Sequence, residues 1–101
     1  LPGVPEGAVI ESMCSYDGSG PHPVAAPPLP DTLQEHLARH AGIIEDVVEA
    51  SISGDRELMI RALERDPLLE NMARDRIPEM WARLAAANRE WVHPGLLGPP
   101  R

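Results

Sequence analysis

The chain contains no Phe and no Lys, only one Tyr (Tyr16), two Trp (Trp81 and Trp91) and one Cys (Cys14). Each scarcity excludes something. Without Phe, any core has to be built from Leu, Ile, Val, Ala and Met. With one cysteine no internal disulfide forms, which fits a reducing compartment. Every cation is Arg, the net charge is −7, and the arginines are scattered. Nucleic acid and anionic membranes need clustered positive charge, so neither is an expected partner. The missing Lys beside abundant Ala and Arg reads as the mark of a GC-rich genome. Apolar runs are only a few residues long, too short for a signal peptide or a membrane span.

What is present is enough for one small domain of 101 residues, 43% of them hydrophobic. A domain of this size buries a modest fraction of its surface and is marginally stable alone. The chain opens mid-phrase, with Leu1-Pro2-Gly3-Val4-Pro5, and reads as a fragment of something longer.

Residues 1–30 are rich in Pro and Gly. Ala8 to Met13 is a strand candidate. Tyr16-Asp17-Gly18-Ser19-Gly20 carries turn chemistry, because Asp-Gly and a second Gly allow positive φ at little cost. Pro21 to Ala25 reads as a second extended segment, confined by its prolines to an edge. Ala26 to Pro30 reads as a polyproline-like linker. The expectation is a small β-hairpin or a pair of extended arms.

After Pro30 the pattern turns helical. Asp31-Thr32-Leu33-Gln34 has the form of a capping box, with Asp31 as N-cap. Leu33, Leu37, Ile44, Val47, Val48 and Ile52 follow at near-helical spacing. Gly42 is a weak point there, costing about 1 kcal/mol against Ala. Gly54 ends this helix and Asp55 caps the next, which stops before Pro67. Asp66-Pro67 starts a short third helix. Asp75 is expected to cap a last one, running from Ile77 to Asn88, with Pro78 tolerated in its first turn. The expected organisation is an arm and linker at 1–30, a helical region at 31–92 and a flexible tail at 93–101, either loose or docked on a neighbour. Two strands are rarely stable alone, so the sheet is expected to be completed elsewhere.

Candidate chemistry is sparse. His36 and His40 share a helix face at metal-ligand spacing, but Leu37 stands where the H-E-x-x-H zinc motif needs Glu, and an exposed helix face is the plainer reading. Cys14 and His22 flank the turn and could form a nucleophile–base pair or two metal ligands; no third member is evident. Glu11 faces either inward or to water, and a lone carboxylate cannot do paired-carboxylate glycosidase chemistry. Gly18-Ser19-Gly20 is followed by prolines rather than a helix, which is wrong for a phosphate loop. Trp81 and Trp91 fit packing better than a sugar platform. From these residues alone the chain offers a small fold and no assembled active site.

One ordered series of phrases is more specific. Val9-Ile10-Glu11 resembles the V-V-E-V-P strand of family 4 glycoside hydrolases, and Asp17-Gly18 followed by Pro23 resembles that family's turn. Pro28-Leu29-Pro30 resembles its entry into a long helix. Val48-Glu49-Ala50 with Gly54-Asp55-Arg56, and Ala62-Leu63 with Asp66-Pro67-Leu68, resemble its V-x-A-A-x-x-G-D-R and A-L-x-x-D-P-L phrases. Trp91 to Pro94 resembles its ending. The order and spacing hold from about Val4 to Pro94. Ser12-Met13, Ser51 and Val92-His93 depart from the pattern, as in an outlying subgroup.

The resemblance implies an α+β fragment, the end of a C-terminal domain like that of lactate and malate dehydrogenases. It implies a bacterial, cytoplasmic, oligomeric parent enzyme that uses NAD and a divalent metal, usually manganese. Such enzymes oxidise the sugar at carbon 3, remove the carbon-2 proton, eliminate the aglycone and reverse the sequence. Their substrates include 6-phosphoglycosides, α-galactosides and uronides. The family's NAD loop, metal-binding Cys and His, and catalytic Tyr and Asp lie upstream of the resemblance. Cys14 and His22 do not match the metal phrases, so no catalytic, cofactor or metal residue is carried onto this chain. The expected partner is the upstream NAD-binding part. The piece is expected to be inactive alone, with its arm completing a sheet and its helices forming a cavity wall or subunit interface. The alternative is an independent helical interaction module without catalysis. A small metal-binding protein using His36, His40, Cys14 or His22 ranks below both.

Overall fold

A computed structural model describes residues 3–25 and 27–98 of the chain. Ala26, at the start of the expected linker, and the last three residues of the tail lie outside the described residues. The elements are α+β in character: strands β1 (Cys14–Asp17) and β2 (Gly20–Pro23), then helices α1 (Asp31–Ser53), α2 (Arg56–Arg65) and α3 (Ile77–Ala87). One-turn 3₁₀ helices occupy Pro67–Leu69, Arg74–Arg76 and Pro94–Leu96. The chain divides into two compact units, Leu1–Ala41 and Gly42–Arg101.

In the first unit β1 and β2 pair antiparallel, with Ser15 opposite His22 and Asp17 opposite Gly20. The strand expected at Ala8–Met13 is displaced: residues 8–13 are not in a strand, and pairing begins at Cys14. The turn sets this register. Asp17 Oδ1 accepts from the Ser19 amide at 2.7 Å, closing an Asx turn, and Gly20 takes the positive φ of +120°. The positive φ therefore falls on the second glycine of Gly18-Ser19-Gly20. The two prolines of β2 lack N–H groups, as an edge strand tolerates. None of the described residues of this unit is buried.

The start of α1 corrects a second expectation. The Pro30 carbonyl accepts from the amides of Leu33 and Gln34, so Asp31 is the first helical residue rather than the cap. Asp31 still places a carboxylate where the helix dipole favours one.

The second unit holds the core. Ala50, Met59 and Leu96 form its buried cluster, with Val47, Leu58, Leu63 and Trp81 packed against it. Gly54 ends α1 at φ +77°, its amide bonded to the Ala50 carbonyl. Asp55 then caps α2, accepting from the Leu58 amide at 2.9 Å. Asp66 accepts from the Leu68 amide in the same way at the Pro67 turn. Gly42 has a reason to be small: a Cβ there would stand 3.2 Å from the Arg65 guanidinium, which crosses α1 to pair with Asp46. Asp75 caps nothing. It lies inside the 3₁₀ turn Arg74–Arg76, and α3 begins at Ile77 without a side-chain cap. Beyond α3, Leu96 is 1% exposed. The stretch read as a flexible tail thus delivers a core residue of its own chain.

Candidate functional site

The hairpin turn brings three polar side chains together. Asp17 Oδ1 accepts from Ser19 Oγ at 2.6 Å and lies 2.9 Å from His22 Nε2, which is itself 3.0 Å from Ser19 Oγ. The Ser19 hydroxyl, then His22, then the Ser19 amide stabilise the carboxylate and pull the Asp17 pKa from 3.8 down to about 2. The residue types are those of a Ser–His–Asp triad, but the wiring is not. A triad needs the carboxylate on one imidazole nitrogen and the hydroxyl on the other. Here both meet Nε2, and the serine proton goes directly to Asp17. The cluster is exposed and fixes a turn.

The other sequence candidates are kept apart. His22 is paired with Ser15, so the adjacent Cys14 points to the opposite face of the hairpin. Its thiol donates to the Ser12 carbonyl at 3.7 Å. Glu11 is exposed and outside both strands. His36 and His40 do meet, ring centroids 4.5 Å apart and edge-on. Among the described residues, however, no three His, Cys, Asp or Glu side chains converge. Gly18-Ser19-Gly20 joins two strands and offers no helix N-terminus. Trp81 is part of the core packing and donates from Nε1 to the Leu96 carbonyl at 3.0 Å. Trp91 lies beyond the end of α3 and is 86% exposed.

One concave feature had no sequence signal. An open groove of ≈ 950 Å³ is lined by Leu68, Leu69, Met72, Met80 and Leu84, together with Arg76, Glu79 and Arg83. Leu84, on α3, is 49% exposed. No described helix is long and apolar enough to cross a membrane.

Two curated relatives are similar to part of the chain. The chain is 27% identical over 70 residues to the alpha-galacturonidase of Lachnoclostridium phytofermentans, covering 69% of the chain and 15% of that protein. It is 29% identical over 75 residues to the alpha-galacturonidase of Thermoanaerobacterium saccharolyticum, covering 74% of the chain and 16% of that protein. The chain thus spans about a sixth of the length of these relatives or slightly less. No solved structure matches it. The family 4 glycosyl hydrolase C-terminal domain matches residues 1–69, which is more than half of the sequence, and the chain belongs to that family.

Proposed function

We propose that this chain is the C-terminal portion of a family 4 glycosidase and acts as a structural part of it. The observation that carries this reading is the state of the first unit. It lies wholly within the family match, yet none of its described residues is buried. Val9 is 100% exposed and Met13 79%, and a two-stranded hairpin has little stability by itself. Such an arm gains a core by joining a sheet in an upstream catalytic part.

On this reading the arm (1–30), the helical region (31–92) and the tail (93–101) belong to one dehydrogenase-like C-terminal domain. The upstream part supplies the NAD-binding, metal-binding and catalytic residues, and the helices wall the substrate cavity and contribute a subunit interface. The whole enzyme is a cytoplasmic oligomer. When bound in the upstream part, NAD would supply hydride exchange and manganese Lewis-acid stabilisation of negative charge for an oxidation–elimination–addition–reduction cycle. The relatives' name points to α-galacturonides as the substrate class.

The test is thermal unfolding of the chain, alone and with the upstream part in trans, followed by a glycosidase assay with NAD, manganese and an α-galacturonide. Stabilisation and activity that appear only with both parts support the reading. Cooperative melting as a monomer, with no binding and no gain of activity, overturns it. A second reading, an independent helical module, is favoured by one observation: the second unit closes a core of its own around Ala50, Met59 and Leu96.

A further inference from the structure

His36 and His40 have no part in the structural role proposed for the chain. They lie one helical turn apart on α1, and their rings meet edge-on, with centroids 4.5 Å apart and an interplanar angle of 61°. Neither ring makes a hydrogen bond or an ion pair among the described residues. The other two histidines are engaged. His22 meets Asp17 and Ser19, and His93 accepts from the Gly95 amide. Only on α1 do two imidazoles face each other with their nitrogens free.

That arrangement suits a metal ion. A helix holds residues four apart with their Cβ atoms about 5–6 Å from each other. A tetrahedral zinc ion sets two ligand nitrogens, each about 2.0–2.1 Å from it, roughly 3.3 Å apart. The ring separation of 4.5 Å meets that demand, so aiming one nitrogen from each ring at a shared ion takes side-chain rotation and no backbone movement. Neutral imidazole suits zinc, nickel and copper, whereas magnesium, calcium and manganese prefer oxygen ligands. Glu35 and Arg39 precede the two histidines in the sequence and are of opposite sign, so they leave the site without a strong net charge.

We propose that His36 and His40 form a two-imidazole site for a borderline divalent ion, zinc in the first instance, and that the bound ion staples the first part of α1. Water completes the coordination shell. The stretch of α1 up to Ala41 belongs to a unit in which none of the described residues is buried, so core packing does not hold its turns. An ion that binds only the helical spacing stabilises that stretch by mass action. With two protein ligands, and no hydrogen-bonded partner to orient either ring, the site is weaker than a four-ligand structural centre. It stands whether or not an upstream catalytic part exists.

Titration of the full chain with zinc tests it, followed by NMR of the imidazole ring protons and by circular dichroism. Zinc is expected to shift the His36 and His40 ring signals together at one ion per chain, to leave those of His22 and His93 in place, and to raise the helical signal and the melting midpoint. His36→Gln and His40→Gln should each weaken binding roughly tenfold or more, because each removes one arm of the chelate. Gln is a good helix former, and circular dichroism without metal checks that both variants fold. Cys14→Ser and His22→Gln should leave binding unchanged, and manganese at the same concentration should shift neither ring. Unmoved His36 and His40 signals, binding that survives either α1 substitution, or binding lost with Cys14→Ser overturns the proposal. None of these results bears on glycosidase activity, so failure here is separable from failure of the functional reading.

Discussion

Trp81 Nε1 donates a hydrogen bond to the Leu96 carbonyl at 3.0 Å, and the Leu96 side chain is 1% exposed among Ala50 and Met59. One residue beyond α3 is thus held twice, by its backbone and by its side chain. Leu96→Ala is expected to cost about 2–5 kcal/mol, the range for a large buried apolar residue truncated to Ala. Trp81→Phe removes the donor and leaves the carbonyl unpartnered, costing about 1–2 kcal/mol. Urea unfolding measures both. Equal stability of Leu96→Ala and the unaltered chain would show that the C-terminal turn is not part of the core.

The turn reaches Leu96 only because two glycine backbones touch. A Cβ on Gly95 would stand 2.6 Å from the Gly54 carbonyl oxygen, and one on Gly54 would strike the His93 ring. Gly54 also holds φ +77°. Gly95→Ala and Gly54→Ala should each destabilise by about 1–3 kcal/mol. Gly98→Ala is the control, since its Cβ would meet only an ordinary contact at 4.0 Å. If all three variants melt together, the close approach does not govern stability.

The caps separate a signal that was readable in the sequence from one that was not. Asp55 and Asp66 each precede a helical turn at a break, and each accepts the expected amide bond. Asp75 has the same residue type in a comparable place, but the 3₁₀ turn Arg74–Arg76 intervenes and removes its cap role. Asp55→Ala should therefore cost about 1 kcal/mol and Asp75→Ala close to nothing. Comparable losses at both positions would mean that charge near the helix starts, rather than the cap bond, is what matters.

Local chemistry carried the sequence reading well where one residue decides the outcome: Gly54 stopping α1, Asp55 starting α2, Pro67 entering a turn. It failed where partners are distant. Leu96 looks like tail because nothing near it in sequence reveals Met59 and Ala50. β-propensity favours a strand at Ala8–Met13, yet pairing starts at Cys14 because the Asp17 and Gly20 turn fixes the register. The cluster of Asp17, Ser19 and His22 is only half visible in the sequence, since Ser19 and Asp17 read as turn residues and His22 pairs with Cys14 in that reading. The groove left no trace in periodicity, because it depends on how the Pro67 turn and α3 approach.

The same turn makes a prediction about pH. Asp17 is held ionised by the Ser19 hydroxyl, His22 and the Ser19 amide, with its pKa lowered from 3.8 to about 2. A carboxylate whose folded pKa is depressed contributes stability that is fully present above its unfolded value and lost as pH falls through the folded one. The hairpin should therefore keep its order down to about pH 4 and lose it progressively toward pH 2. His22→Ala and Ser19→Ala should each move the Asp17 titration upward, Ser19→Ala by more, since the serine hydroxyl is the leading cause. Carboxyl chemical shifts followed by NMR across this range report both effects. An Asp17 that titrates near 3.8 in the unaltered chain would show that the Ser19 and His22 contacts do not persist in solution, and the register they set would then need another origin.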